Sequence, residues 1–146
     1  MKLLSTLLIS SFFIVQASWL TNMEQAKKES YQKHRLILLN FSGSDWCSPC
    51  IQLKKKIFES EAFNQYADTS LILVNADFPR KKKNKPSAEQ IALNDALAEK
   101  YNPDGKFPFT LLLNDGGKVL KAWDGNPDVS PEEFVHQLQE VPKSLY

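Results

Sequence analysis

Two cysteines, Cys47 and Cys50, have the most distinctive chemistry in this sequence, and its 146 residues contain no other cysteine. Ser48 and Pro49 separate them, and Trp46 precedes them. A thiolate is the nucleophile of thiol–disulfide exchange, and a second thiol nearby can release a substrate that is bound to the first. The spacing therefore predicts a redox pair, and the helix predicted to start at these residues assigns the attack on a disulfide to Cys47 and the resolution of the mixed disulfide to Cys50.

A structural disulfide and a zinc site are two alternatives for the pair. A Cys47–Cys50 bridge closes a very small loop, and stabilisation by loop closure grows with loop length, so a structural role would contribute little. A structural zinc site needs four ligands, and His34 and His136 are not clustered with the cysteines. We therefore expect no metal here, and we interpret both histidines as surface or helix-end residues.

The residues that follow the pair predict a helix that begins at the cysteines and ends near Glu59. Apolar side chains recur at helical spacing and lysines lie largely on the other side; the apolar positions are Cys50, Leu53, Ile57 and Phe58. Unpaired N–H groups and a partial positive charge at a helix start lower the pKa of a thiol from its ordinary value of about 8.5. We expect Cys47 to be acidic and exposed, and Cys50 to be more buried.

Four apolar runs predict the strands of a mixed sheet. Leu36–Phe41 and Leu71–Ala76 are continuous enough to be buried parallel strands, and Phe109–Leu113 and Lys118–Trp123 flank a turn sequence typical of a hairpin. Helices are predicted around them, at Thr21 to about His34, Glu61–Tyr66, Ser87 to Tyr101 and from Ser130 onwards. Capping-box patterns predict Thr21, Ser87 and Ser130 as the N-cap residues of the first, third and fourth of these helices. The third has the apolar stripe Leu93, Ala96, Leu97 and Tyr101. The pattern indicates an α/β fold, with parallel strands and a C-terminal antiparallel hairpin flanked by helices.

The first 17 residues have the layout of a secretory signal peptide. Lys2 is followed by an apolar run of about 13 residues, Leu3–Val15, which is shorter than the roughly 20 residues of a membrane-spanning helix. Small residues precede a cleavage point after Ala17. We expect an exported domain over residues 18–146, with no transmembrane segment after processing. We expect it in the periplasm, where disulfides persist. A retained anchor or a buried helix is the alternative.

Three segments resemble a known family. Gly43–Cys50 (Gly-Ser-Asp-Trp-Cys-Ser-Pro-Cys) at a strand-to-helix junction resembles the thioredoxin superfamily. Together with Asn94–Asn102 and Phe107–Leu111, it is similar to exported bacterial thioredoxin-like proteins related to the C-terminal domain of the thiol:disulfide interchange reductase. The similarity covers roughly residues 19–138. It implies a thioredoxin fold and a thiol–disulfide oxidoreductase.

The resemblance also implies roles for residues around the cysteines. It places Pro108 at the family's cis-proline, facing the cysteines, although a proline at the start of a strand also has an ordinary structural explanation. The backbone of Phe107 would then pair with the substrate main chain. Trp46 would be a flat apolar contact beside the nucleophile, or equally a core aromatic. Ser48 and Pro49 would support the active-site turn.

The sequence departs from thioredoxin itself at one position and in the length of one segment. Thioredoxin has a buried aspartate six residues before the first cysteine, credited with proton transfer to the inner thiol, whereas this sequence has Phe41 there and Asn40 beside it. Asp45 is nearer, but we expect it on an exposed turn, so proton transfer at Cys50 would rely on water or another group. The stretch Asp77–Tyr101 is also longer than in thioredoxin and includes a basic loop.

The basic loop, Arg80–Lys85, has five basic residues out of six. Such a block is usually a solvated surface, and the alternative is contact with an acidic partner or an anionic envelope surface. The formal net charge of the chain is only +1 and no aromatic residues interleave with the basic ones, so we do not expect nucleic-acid binding.

These patterns predict an enzyme that exchanges disulfides with protein substrates. The Ser48-Pro49 dipeptide resembles the Gly-Pro of thioredoxin more than the His-containing dipeptides of oxidases and isomerases, which favours a reductant. The sequence has no nucleotide, flavin or metal motif, so we expect no cofactor besides the Cys47–Cys50 disulfide, an upstream protein dithiol as electron donor, and a monomer. The alternative is a non-catalytic interaction module with a thioredoxin fold, because a fold does not fix a function.

Overall fold

One mixed sheet forms the centre of the structure, a computed structural model that describes residues 17–142. Its strands are β1 Trp19–Leu20, β2 Leu36–Ser42, β3 Leu71–Asp77, β4 Phe109–Leu113 and β5 Val119–Asp124, in the order β1-β3-β2-β4-β5. β1, β3 and β2 are parallel, and β4 is antiparallel to both β2 and β5. The predicted parallel pair and hairpin are therefore confirmed. The predicted signal peptide, apart from Ala17, lies outside the described residues.

Within residues 17–142, five α-helices surround the sheet: α1 Met23–Lys33, α2 Ser48–Leu53, α3 Glu61–Ser70, α4 Ala88–Tyr101 and α5 Pro131–Gln139. α2 continues into a π-helical turn, Lys54–Phe58, that is closed by a hydrogen bond of 2.9 Å from the Glu59 amide to the Lys54 carbonyl. Ser87 and Ser130 cap α4 and α5 as predicted, because each side-chain oxygen accepts a backbone N–H of the first turn.

The core has two parts because alternate side chains of β2 point to opposite faces of the sheet. All seven residues of β2 are buried, as expected for a central strand that is covered on both sides. One face packs against α3, α5 and the π-helical turn, and contains Leu36, Leu38, Phe63 and Phe134. The other packs against α1 and α4, and contains Ile37, Leu39, Phe41, Met23 and Leu97.

The start of α1 differs from the prediction. We expected Thr21 to cap the helix, but the N-cap is Asn22, whose side-chain oxygen accepts hydrogen bonds from the amides of Glu24 and Gln25. Because one asparagine side chain satisfies two of the free N–H groups at the helix start, the cap lies one residue later than the capping-box pattern indicated.

The apolar stripe predicted for α4 is also partly wrong. Leu93 and Ala96 are exposed, and the buried positions are Asn94 and Leu97. Asn94 Nδ2 donates a hydrogen bond of 2.8 Å to the carbonyl of Asp77, so a polar residue with a satisfied hydrogen bond occupies the buried face.

The helix predicted over Glu61–Tyr66 begins where we expected it, but it extends to Ser70.

A row of three polar side chains crosses the sheet on the α3 and α5 face. Asn40 on β2 pairs in register with Asn75 on β3 and Thr110 on β4. Asn40 Nδ2 donates to Asn75 Oδ1 at 3.0 Å, and Thr110 Oγ1 donates to Asn40 Oδ1 at 3.1 Å. Asn40 and Thr110 are only 6% and 1% exposed, so these side chains satisfy one another inside the protein.

We predict that Asn40→Ala lowers the free energy of unfolding by about 1–3 kcal/mol, because it leaves the buried Thr110 and the half-buried Asn75 without these hydrogen bonds. Urea denaturation of the oxidised protein measures this change. Gln65→Ala is the matched control, because Gln65 is exposed and its side chain donates only to Glu61. Equal stability of the two variants would show that the polar row does not stabilise the sheet.

Candidate active site

The cysteine pair lies where β2 leads into α2. Residues 43–46 turn the chain, and Cys47 is the N-cap residue of α2, with Pro49 in the first turn. Cys47 and Cys50 form a disulfide with their Cα atoms 5.3 Å apart. The Cys50 amide donates to Cys47 Sγ at 3.3 Å. The predicted position of Cys47, directly before a helix, is confirmed, and its sulfur accepts one of the N–H groups that a helix start leaves free.

The expected difference in exposure between the two cysteines is not seen. Cys47 and Cys50 are each 4% exposed, whereas we expected an exposed Cys47 and a buried Cys50. In the disulfide, Cys47 Sγ is bonded to the inner sulfur and held against the first turn of α2, which withdraws it from solvent. Ser48 and Pro49, between them, are exposed.

Trp46 is half-buried beside the cysteines and is held on several sides. Its Nε1 donates to the carbonyl of Phe78 at 2.7 Å, and its ring meets the Phe107 ring edge-on with centroids 5.5 Å apart. Gly43 lies against the same indole, because a Cβ at that position would be 2.3 Å from the ring. A side chain at Gly43 would therefore displace Trp46 from its position next to Cys47.

The loop before β4 reaches the same end of the sheet. Because β2 and β4 are antiparallel and Phe41 pairs with Phe109, the start of β4 lies beside the end of β2. The Phe107–Pro108 peptide bond is cis, as the resemblance implied. Pro108 is buried and Phe107 is half-buried, so Phe107 connects this loop to Trp46.

Asn102 organises this loop, and the sequence analysis missed it. Its Oδ1 accepts from the Lys106 amide and its Nδ2 donates to the Lys106 carbonyl, both at 2.9 Å. The side chain is 3% exposed. The sequence Asn-Pro-Asp-Gly at residues 102–105 is rich in turn residues, and this signal could have identified the loop that presents Phe107 and Pro108.

A cavity of about 410 Å³ lies beside Cys50, and its lining includes Cys50, Asn40, Asn75, Lys54 and Glu59. Phe41 belongs to the core on the opposite face of the sheet, whereas Asn40 lines the cavity. Among the cavity-lining residues that the structure describes, Glu59 has the only carboxylate, 3.8 Å from Lys54 Nζ. Sequence analysis did not identify Glu59 because it follows the cysteines by more than two helical turns.

Asp45 lies on the turn after β2, as expected, but it is less exposed than we predicted. It is half-buried, and its carboxylate accepts hydrogen bonds from the amides of Arg80 and Lys81 at 2.9 and 3.0 Å and from Asn84 Nδ2 at 2.9 Å. These bonds, first of all that from the Arg80 amide, hold the pKa of Asp45 below its usual value. Asp45 therefore connects the basic loop to the turn that contains Trp46 and precedes Cys47.

Neither a cluster of metal ligands nor a membrane-spanning helix is found among residues 17–142. No group of three or more His, Cys, Asp or Glu side chains in this range is arranged to hold a metal ion. None of the helices in the same range has both the length and the apolar character that crossing a membrane requires.

Two proteins of known structure share this architecture. A solved DsbH oxidoreductase superposes with a TM-score of 0.78 and 28% sequence identity, over 94% of each chain. The oxidised C-terminal domain of DsbD from Neisseria meningitidis superposes with a TM-score of 0.54 and 20% identity, over 82% of this chain and 90% of that domain. At that identity, the second match supports the fold alone.

Sequence comparison agrees with the structural matches. The disulfide bond reductase DsbH of Chlamydia pneumoniae is 38% identical over 103 residues, which are 70% of this chain and 60% of that relative. This chain therefore matches less than two thirds of the length of that relative. The model of the thioredoxin-like domain matches residues 23–142, and the chain therefore belongs to the thioredoxin-like family.

Proposed function

We propose that this chain is a thiol–disulfide oxidoreductase that reduces disulfide bonds in exported proteins. The observation that carries the proposal is the position of Cys47 at the start of α2, bonded to Cys50 in the first turn of the same helix. A helix start stabilises a thiolate, and a partner thiol within bonding distance completes the exchange without another reagent.

The reaction begins with the reduced pair. The Cys47 thiolate attacks one sulfur of the substrate disulfide, the substrate S–S bond breaks, and the departing sulfur takes up a proton. Cys50 then loses its proton and attacks Cys47 Sγ, which releases the second substrate sulfur as a thiolate that is protonated in turn. The substrate gains two electrons and two protons, and the protein is left with the Cys47–Cys50 disulfide.

Two groups that line the same cavity as Cys50 are proposed to assist the removal of its proton. Asn40 is fixed by its hydrogen bonds to Asn75 and Thr110 and is an amide, so it orients water in the cavity rather than accepting a proton itself. Glu59 lines the same cavity and can accept a proton through that water. This pair is our proposal for what takes the place of the aspartate that is missing at Phe41.

Three residues around Cys47 are proposed to contact the substrate. Trp46 and Phe107 pack edge-on against each other and supply apolar surface beside the nucleophile. Pro108 lacks an N–H, and the preceding backbone of Phe107 would pair with the substrate main chain. Ser48 and Pro49 support the turn, where Pro49 is suited to the first turn of a helix.

Reduction is favoured over oxidation by two observations. The relative from Chlamydia pneumoniae is named a disulfide bond reductase, and the Ser-Pro dipeptide between the cysteines is closer to that of thioredoxin. We propose that another protein dithiol returns the electrons. A non-catalytic module is not favoured, because both cysteines are present and joined at the start of a helix.

Export through a signal peptide that is cleaved after Ala17 remains part of the proposal. The charged start, the apolar run and the small residues before the cleavage point support it. Ala17 donates its amide to Asn64 Oδ1 at 2.9 Å, and processing would remove this bond. The first strand, which begins at Trp19, would remain in the mature chain.

We predict that the mature protein reduces insulin with dithiothreitol as electron source, and that Cys47→Ser lowers the rate to that of dithiothreitol alone. Cys50→Ala, reduced and freed of dithiothreitol before it is mixed with insulin, should accumulate a mixed disulfide through Cys47, because the nucleophile remains and no resolving thiol is present. The turbidity of precipitating insulin and non-reducing electrophoresis report these results. Full activity of Cys47→Ser would remove the proposed function.

We predict that the full chain, expressed in a Gram-negative bacterium, is recovered from the periplasm with Ser18 as its first residue. Ala17→Arg should block processing, because a large charged side chain does not fit the small-residue position before the cut. Intact mass of the purified protein measures both. A periplasmic fraction without the protein, or a mass that begins at Met1 for the unaltered chain, would contradict export by cleavage.

A further inference from the structure

The basic loop, Arg80–Lys85, is an unneutralised positive surface. Its five basic side chains are exposed. No carboxylate among residues 17–142 lies within ion-pair distance of any of them. The formal net charge of the whole chain is +1, so the residues outside the loop have a net charge of −4. The loop therefore supplies the net positive charge of a chain that is otherwise acidic.

The loop has a defined shape rather than that of a free tail. Asp45 binds the amides at its start and Asn84 near its end, and a 3₁₀ turn over Lys82–Asn84 joins these points. The Asp45 carboxylate accepts hydrogen bonds from the loop backbone and from the Asn84 side chain, and the lysine side chains of the loop are exposed to solvent.

The loop also begins against the active site. The guanidinium carbon of Arg80 lies 3.7 Å from the centroid of the Trp46 ring, and Trp46 precedes Cys47. Such a stacked arrangement stabilises a cation over an indole. A polypeptide whose disulfide reaches Cys47 therefore comes close to the positive loop.

A groove of about 380 Å³ separates the loop from α4, and its lining includes Phe78, Arg80, Lys82, Lys85, Asp77 and Asp95. Asp77 is engaged by the amide and hydroxyl of Ser44. If Asp45, Asp77 and Asp95 are all counted against the five basic residues, the region keeps a net charge of +2. Its electrostatic preference is thus for an anionic partner.

We propose that the basic loop is a docking site for acidic segments of the protein substrates whose disulfides react at Cys47; this rests on the proposed function. A polypeptide is favoured over a membrane or a nucleic acid because the loop is fastened to the turn that holds the nucleophile, so one ligand can occupy both. Lysines bind carboxylates as point charges without demanding one geometry, which suits varied substrates. Attraction of this kind raises the association rate and weakens as salt screens it.

The test uses three disulfide substrates: a peptide with acidic flanks, the same peptide with serine in place of the acidic residues, and 2-hydroxyethyl disulfide. Their reduction by the pre-reduced protein is followed by stopped flow at low and high salt. The variant is Lys82→Ser/Lys83→Ser/Lys85→Ser, which keeps the Arg80 and Lys81 amides that bind Asp45. The matched control, Lys28→Ser/Lys100→Ser/Lys118→Ser, removes the same charge from exposed positions outside the loop.

We expect the loop variant to reduce the acidic peptide about tenfold more slowly at low salt and the other two substrates at the unaltered rate. The difference should shrink at high salt, and the control variant should behave like the unaltered protein. An unchanged rate with the acidic peptide, or an equal loss with all three substrates, would overturn the proposal. The proposal would also be overturned if binding to vesicles of anionic lipid depended on the loop and reduction of the acidic peptide did not.

Failure of the proposed function is distinguishable from failure of docking. A protein that reduces none of the three substrates is not the proposed reductase, and docking is then judged by binding alone. Fluorescence anisotropy of a labelled, cysteine-free acidic peptide measures the binding of that peptide to the oxidised protein. Docking predicts salt-sensitive binding that the loop variant loses and the control keeps; equal binding by both variants would contradict it.

Discussion

The contact between the Cys47 sulfur and the first turn of α2 is the interaction on which the rest of this site depends. The sulfur accepts the Cys50 amide, so the helix is capped by the atom that is proposed to react. The same geometry places the second cysteine within bonding distance. β2, buried along its whole length, holds this junction in a rigid position.

Three neighbouring segments are arranged around this junction by specific contacts. Trp46 is bound to Phe78 and lies on Gly43 and Phe107, and the Asn102 side chain shapes the loop that leads to Phe107. Asp45 attaches the basic loop to the same turn. The surface around the cysteines is therefore assembled from distant parts of the chain, each fixed by its own polar contacts.

Local patterns predicted β2 to β5, most helix ends and the cysteine site because each depends on periodicity or spacing. The two-residue strand β1, Trp19–Leu20, was not predicted, because it is too short to show an alternating pattern. The prediction failed where side-chain hydrogen bonds decide between neighbouring positions, as at Asn22 and Asn94. The hydrogen bonds of Asn40 and Asp45 were not predicted for the same reason. Their partners Asn75 and Arg80 are each 35 positions away in the chain. The equal burial of Cys47 and Cys50 is that of the oxidised pair, whereas the expected difference was derived from where each free thiol lies relative to the helix start. The cis bond at Pro108 was available only from family resemblance.

Titration of the Cys47 thiol tests the account most directly. The thiolate absorbance of reduced Cys50→Ala protein, followed against pH with Cys47→Ser/Cys50→Ala as the blank, gives its pKa without interference from a second thiol. The account predicts a midpoint well below the value of about 8.5 for a free cysteine, together with rapid alkylation near neutral pH. A midpoint at or above that of free cysteine, with slow alkylation, would contradict it.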